Sequence, residues 1–368
     1  MALALGIPAS ADIRAFNEKV KVQDYKGAAA EAAATWPTLD KSRKDIALIA
    51  REFGFSTYMA GDFAGAQTFA KFAADNEAAG PAGDLSRATS MVLYELAGHA
   101  EKHTADTRNS LLAAVRSRAA LPGVDNITYL GFEAVVTHDF QYGKWADAAE
   151  SAQLAATATE QAGPTFTLRN RRFRLFGEVA EYMRSYQKES YDRLDALVKA
   201  VRADVNNAPT ESEAQSFVDL YWDAHAWKEA FGLHLVASRK MKSPDEAALE
   251  EAKKLQGPPT DRDVRLLGIG PDMTTCRYRV GMSNKPNYPP SAMYAGMAAV
   301  VVLRMDVDKD GRTSNHRMLA AVPERDFGTA VMRAAKQIRY FPDKPWDASC
   351  SLEHKGRVMT FQFVVRPA

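Results

Sequence analysis

From Asp12 to about Gln256 the chain sets apolar residues three and four positions apart, with abundant alanine and few β-branched runs. That spacing lays one apolar stripe along an α-helix, and alanine has the highest helix propensity. A strand has a side-chain period of two and cannot use such a stripe. Breaks fall at Trp36-Pro37, Gly80-Pro81-Ala82-Gly83, Leu121-Pro122-Gly123, Gly163-Pro164, Asn206-Asn207-Ala208-Pro209 and Ser243-Pro244. Each places Pro, Gly or Asn where a helix must end. The intervals leave room for antiparallel helix pairs, so residues 12–256 are expected to form an all-α region of helical hairpins.

One pair has a recognisable grammar. Gly54, Tyr58, Gly61-Asp62-Phe63, Ala66 and Ala73 follow one another in order. Gly61-Asp62 makes the turn, Phe63 packs into the pair, and small Ala66 and Ala73 let two helices approach. Asp24-Tyr25-x-x-Ala28 and Gly143-Lys144-Trp145-x-x-Ala148 repeat the aromatic-x-x-alanine step. The region resembles degenerate tetratricopeptide repeats without their regular period of about 34 residues. A generic helical bundle is the alternative.

The pattern then changes. Leu255-Gln256-Gly257-Pro258-Pro259-Thr260-Asp261 is stiff, polar and non-helical, and residues 257–284 are expected to be a linker. Arg277-Tyr278-Arg279-Val280 is a possible short strand, and Ser283-Asn284-Lys285-Pro286-Asn287 is a second break. Residues 285–368 read as a small sheet-plus-helix domain, making the chain a multidomain α+β protein. Ala299 to Val307 is rich in β-branched residues, Lys309-Asp310-Gly311-Arg312 supplies a turn, and Thr313 to Leu319 returns. Phe327 to Tyr340 is expected to be a helix stopped by Pro342 and Pro345. Ser349–Glu353 and Val358–Val365 are expected as two further strands joined at Lys355-Gly356, with the helix covering one face of one sheet.

Tyr288-Pro289-Pro290-Ser291-Ala292, Gly296, the Val300–Val302 strand, Asp310-Gly311-Arg312, Arg339-Tyr340-x-Pro342 and a terminal strand occur in that order. This segment resembles the TonB C-terminal domain family. The resemblance implies a periplasmic domain that captures an extended peptide from an envelope partner, such as a TonB-dependent outer-membrane transporter, by adding it as a strand. Tyr288, Pro289, Gly296, Gly311, Arg339 and Tyr340 are the motif residues carried over. An open strand edge offers unpaired backbone groups that a peptide can satisfy. Thr360, Phe361, Gln362, Phe363, Val364 and Val365, last in the chain, are the candidate edge. Ala299 stands where a second glycine is common in the family, and Ile338 where many members have tryptophan. Energy-transducing members also carry a transmembrane helix and a proline-rich spacer. This chain displays neither, which argues for a peptide-binding adaptor and against direct coupling to a proton-driven motor.

Composition narrows the rest. The net charge is +1, which gives no argument for nucleic-acid binding. From Lys285 onward there are 13 Lys+Arg and 8 Asp+Glu, so a basic end follows an acidic body. No stretch of about 18 apolar residues is present to span a bilayer. Met1–Ile7 followed by Ala9-Ser10-Ala11 reads either as the tail of an export signal, which agrees with a periplasmic location, or as a frayed start to the first helix. Cys276 and Cys350 can pair in an oxidising compartment, closing a loop worth ~4 kcal/mol, or stay as buried thiols.

Several chemical-looking signals carry less. Asp306-x-Asp308-x-Asp310-Gly311 opens like an EF-hand loop but has Arg317 where the bidentate Glu belongs. His99 and His103 share a helix face without the order of a metalloprotease, and read as exposed helix-face histidines. Arg169-Asn170-Arg171-Arg172-Phe173-Arg174 suits a helix that buries Phe173 while its arginines snorkel or pair with Glu178 and Glu181. Gly268-Ile269-Gly270-Pro271 lacks the third glycine of a dinucleotide loop. No catalytic residue, cofactor or metal site is assigned. The leading expectation is a protein-binding adaptor. The alternatives are a structural protein whose sheet pairs with itself as a homodimer, or an enzyme with a site between the two regions.

Overall fold

The computed structural model describes residues 13–243, 259–267, 278–282, 285–290, 292, 297–322, 325–343 and 351–363. Two compact units follow one another, Met1–Phe173 and Arg174–Ala368.

The first unit is helical. Its elements are α1 (Arg14–Lys21), α2 (Tyr25–Thr35), α3 (Ile46–Met59), α4 (Phe63–Asn76), α5 (Pro81–Lys102), α6 (Ala105–Ala119), α7 (Asn126–Gln141) and α8 (Trp145–Gln161); α9 (Thr167–Ser185) begins at its end. Local chemistry sets the boundaries. Asp24, Asp62, Thr104 and Asp125 cap helix N-termini through their side chains. Gly61 turns the chain at φ +88°, a conformation that glycine adopts without strain. Consecutive helices pack on each other, and α3, α5 and α7 also touch in series. Ala66, Ala70 and Ala73 are fully buried, so these helices approach closely at small residues. Trp36-Pro37 forms a 3-10 turn, Trp36–Thr38, and the Trp36 ring stands edge-on to Phe53, Phe69 and Phe72.

The second unit contains α10 (Lys188–Asn207), α11 (Glu211–Ala237) and the sheet region. Tyr182 of α9 stacks on Phe231 of α11 at 3.7 Å, and its hydroxyl lies 2.8 Å from His234 Nδ1. Asp263, in a short helical turn Asp263–Leu267, is fully buried and takes bonds from Arg202 and Asn206 of α10.

The strands are β1 (Tyr278–Met282), β2 (Ala299–Val307), β3 (Thr313–Val322), β4 (Ile338–Pro342) and β5 (His354–Phe363), with α12 (Arg325–Ala335) between β3 and β4. A three-stranded antiparallel sheet has the order β3-β2-β5, and β1 pairs with β4 as a separate ribbon. The expected combination of an all-α region and a small sheet-plus-helix segment is what the chain forms. Among the described residues no helix is long and apolar enough to cross a membrane.

Three details differ from the sequence reading. The helix expected over Phe327–Tyr340 stops at Ala335, and Ile338–Pro342 becomes β4 because β1 offers it a partner: Met282 faces Ile338 and Val280 faces Tyr340. The strand expected over Ser349–Glu353 and the turn at Lys355-Gly356 are replaced by one long β5. Gly356, at φ +72°, sits within β5 near a register shift and donates its N–H to Asp306 at 2.7 Å. Residues 351–353 lie outside any strand, and 344–350 fall outside the described residues.

The third difference concerns what covers the sheet. On one face of β2, Val301, Leu303, Met305 and Val307 join Phe327, Val331 and Ala335 of α12 in a core. On the other, Val300 and Val302 are also buried, beneath α11. Ion pairs Arg304–Asp219 and Arg317–Asp223 and the bond from Thr360 to Glu229 tie the sheet to that helix. The sheet is therefore covered on both faces, where the sequence reading provided for one.

Candidate functional site

The sheet has two edges, and they are built differently. The ladder between β2 and β3 shifts register between Val302 and Leu303 and again between Arg304 and Asp306. Asn315 on β3 sits at φ +50°. Bulges of this kind twist an edge and discourage further pairing. β5 has the opposite character. From Arg357 to Phe363 it runs in unbroken register with β2, Met305 to Ala299. Its outer side has no strand partner among the described residues.

The candidate edge residues divide by face. Phe361 and Phe363 lie opposite Val301 and Ala299 and pack into the core beneath α12. Thr360 lies opposite Val302 on the α11 side, where its hydroxyl donates to Glu229 Oε1, and Gln362 is exposed. Side chains thus lock β5 in place while its backbone edge faces outward. Val364 and Val365 lie outside the described residues.

The motif residues surround this arrangement. Tyr288 donates its hydroxyl to the carbonyl of Met297, and its ring stands edge-on to Phe327 at 5.4 Å and Phe363 at 5.6 Å. It joins the entry to β2, the helix and the end of β5. Burial raises its phenol pKa. Pro289 follows, half-buried. Gly311 has φ +76°, and a Cβ there would lie 2.0 Å from the carbonyl oxygen of Tyr340. The Gly311 carbonyl accepts from Tyr340 N–H at 2.8 Å, so the turn and β4 are one fitted unit. Tyr340 is buried, its phenol pushed up to about 12 by burial, and the Arg357 guanidinium from β5 lies 5.6 Å from its ring. Arg339 is exposed on β4. Gly296, Cys276 and Cys350 lie outside the described residues, with the proposed disulfide.

The weaker signals resolve into structure. Asp308 Oδ1 accepts the N–H groups of Asp310 and Arg312, and Asp306 accepts from Asn315, so these acids organise the turn. Arg169 lies over the Tyr129 ring at 4.2 Å, and Phe173 is buried. Glu178 pairs with Arg193 and Glu181 with Arg184. His103 is exposed on its helix as expected, but His99 is not. His99 is buried, with Nδ1 3.0 Å from Thr107 Oγ1, and burial pulls its pKa down to about 4. His138 is buried beside it at 5.1 Å between ring centroids, and His103 ends α5 in a left-handed conformation. They line a cleft of about 240 Å³ with Tyr58, Leu130, Glu133 and Thr137. Sequence spacing brought out His99 and His103, but only tertiary packing brings in His138. Among the described residues no group of three His, Cys, Asp or Glu side chains is placed to hold a metal ion.

Residues 284–358 match the family model described as Gram-negative bacterial TonB protein C-terminal. Protein TonB of Escherichia coli (strain K12) is 37% identical over 62 residues, 17% of this chain and 26% of that protein. Protein TonB of Xanthomonas campestris pv. campestris (strain B100) is 37% identical over 57 residues, 16% of this chain and 26% of that protein. The chain spans about a quarter of the length of the curated relatives it matches.

Proposed function

We propose that this chain is a periplasmic adaptor of the bacterial envelope that binds an extended peptide of a partner protein, such as an outer-membrane transporter, along β5. The observation that carries the reading is the regular edge from Arg357 to Phe363, on the strand where the segment matching the TonB C-terminal family, residues 284–358, ends. An added strand bonds to the outward backbone groups of β5 and needs no change in its side chains. The helical body, read as degenerate tetratricopeptide hairpins over residues 12–256, offers a second docking surface for a protein or peptide partner, beside the domain of residues 285–368 in the sequence. The role is one of binding, without a catalytic step. An export signal at the N-terminus and a Cys276–Cys350 disulfide fit the same compartment.

The test uses cysteine-scanned full-length protein. A photoactivatable label at Gln362→Cys on β5, or at Ser314→Cys on β3, is presented with synthetic extended peptides copied from outer-membrane transporters. Cross-links from β5 alone are expected. Equal labelling from both edges, or none from β5, removes the strand-addition reading. Light scattering over a concentration series addresses the alternative, a homodimer formed through the same edge. In that case the Gln362→Cys label cross-links two copies of the chain and transporter peptides do not compete.

A further inference from the structure

The β1–β4 ribbon has two unlike faces. Tyr278, Met282, Ile338 and Tyr340 belong to the core beneath α12. On the other face Arg279 lies across from Phe341, and Gly281 lies across from Arg339. Arg339 in turn faces Arg312 through a single antiparallel bridge. Directly opposed residues on neighbouring strands project to the same side, so three arginines and one phenylalanine share this face. All four are exposed, Phe341 to 38%.

The arrangement is built, not incidental. The guanidinium carbons of Arg279 and Arg339 each lie 5.8 Å from the centroid of the Phe341 ring, within cation–π range. A Cβ on Gly281 would lie 2.7 Å from Phe341 Cε2, so the missing side chain lets the ring lie flat on the strand. Arg339 opposite Arg312 is a like-charge cross-strand pair, which costs stability unless an anion lies between the two. The sheet's ion pairs to α11 use Arg304 and Arg317. Among the described residues no carboxylate pairs with Arg279, Arg312 or Arg339.

The geometry points to an anionic phospholipid surface as the ligand of this face. Guanidinium groups bind phosphate oxygens through paired N–H donors, and an exposed ring between them fits the boundary of headgroup and acyl chain. The face spreads its charge across Arg279, Arg312 and Arg339 on neighbouring strand positions, which suits a layer of headgroups better than one extended peptide. It presents side chains, whereas β5 presents backbone, so this site stands apart from the peptide reading.

Full-length protein is sedimented with vesicles of phosphatidylcholine, with and without phosphatidylglycerol. Binding is expected only with phosphatidylglycerol. At about 1 kcal/mol for each basic residue near an anionic surface, the Arg279→Gln/Arg339→Gln variant loses affinity roughly 30-fold. Phe341→Ala weakens binding to the same vesicles. Arg333→Gln/Lys285→Gln, which removes two exposed charges elsewhere in the same segment, changes it less than about twofold. Circular dichroism checks that each variant is folded. The proposal is overturned if the control pair loses as much as the ribbon pair, or if the ribbon pair binds as well as the parent. It is equally overturned if the parent ignores phosphatidylglycerol vesicles, including the case where soluble polyglutamate binds the ribbon instead.

Discussion

The first helical unit and the sheet region bury their cores by different routes. In the first, each helix packs against its neighbours in the chain, and alanines such as Ala66, Ala70 and Ala73 set the spacing. In the second, β2 depends on residues far away in sequence: Thr360 bonds to Glu229 across 131 positions, and Arg317 bonds to Asp223 across 94. Local packing tolerates loss at the ends, whereas non-local packing requires every covering layer to be present. The segment matching the TonB C-terminal family, residues 284–358, is also shorter than the compact unit that contains it, Arg174–Ala368. It includes α12 but lacks α11, β1 and the end of β5.

That contrast can be broken most directly by excision. Residues 285–368 alone should expose the α11 side of β2, including Val300 and Val302, at about 1.5–3 kcal/mol for each buried valine. The expected product aggregates or lacks a cooperative melt, while residues 174–368 melt cooperatively. Equal near-ultraviolet dichroism for both pieces removes the dependence on α11.

Next in size is Gly311→Ala. The positive φ and the Tyr340 carbonyl 2.0 Å from the new Cβ together cost about 3 kcal/mol, measured as a lower urea midpoint. An effect below about 1 kcal/mol means that the turn and β4 can separate freely.

Glu52 sharpens the helical side. It is buried on α3, and desolvation raises its pKa to about 6. The folded state then holds a proton that the unfolded state releases above its ordinary value of 4.5. Stability from this group is full below pH 4.5 and falls as pH rises to about 6, by about 2 kcal/mol in all. Glu52→Gln should remove that slope and stabilise the protein above pH 6, as followed by urea titrations at several pH values. A parent without the slope contradicts the burial argument.

The smallest effect is expected from Asp223→Asn. Its ion pair with Arg317 is partly exposed and contributes under about 1 kcal/mol, less at high salt. A larger loss would mean that charge, and not the buried valines, holds α11 to the sheet.

Legibility in the sequence follows the same division. Helical breaks and caps are local, so Asp24, Asp62 and Asp125 could be read in place. β2 was visible in its β-branched run, and its uninterrupted apolar stretch Ala299–Leu303 already carried the mark of a strand buried on both faces. The covering helix was not visible, because Asp219, Asp223 and Glu229 look like ordinary solvent-facing acids on α11. The end of α12 is hidden in the sequence for a related reason. Ile338 continues the helical period from Val331 and Ala335, and only pairing with β1 turns it into strand. At the candidate site, β5 could be placed at an edge from its position in the chain. The contrast between its even register and the bulged β3 needed coordinates.

The two-sided cover of β2 sets a clock on hydrogen exchange. Its amides lie between β3 and β5 and beneath both α11 and α12, so they reach water only when the unit opens as a whole. The outward amides of β5 have no strand partner among the described residues, so they are expected to exchange without global opening. The ratio of the two exchange rates therefore reads the unit's global stability against an internal reference, and an occupant of the β5 edge would slow one set while leaving the other almost unchanged.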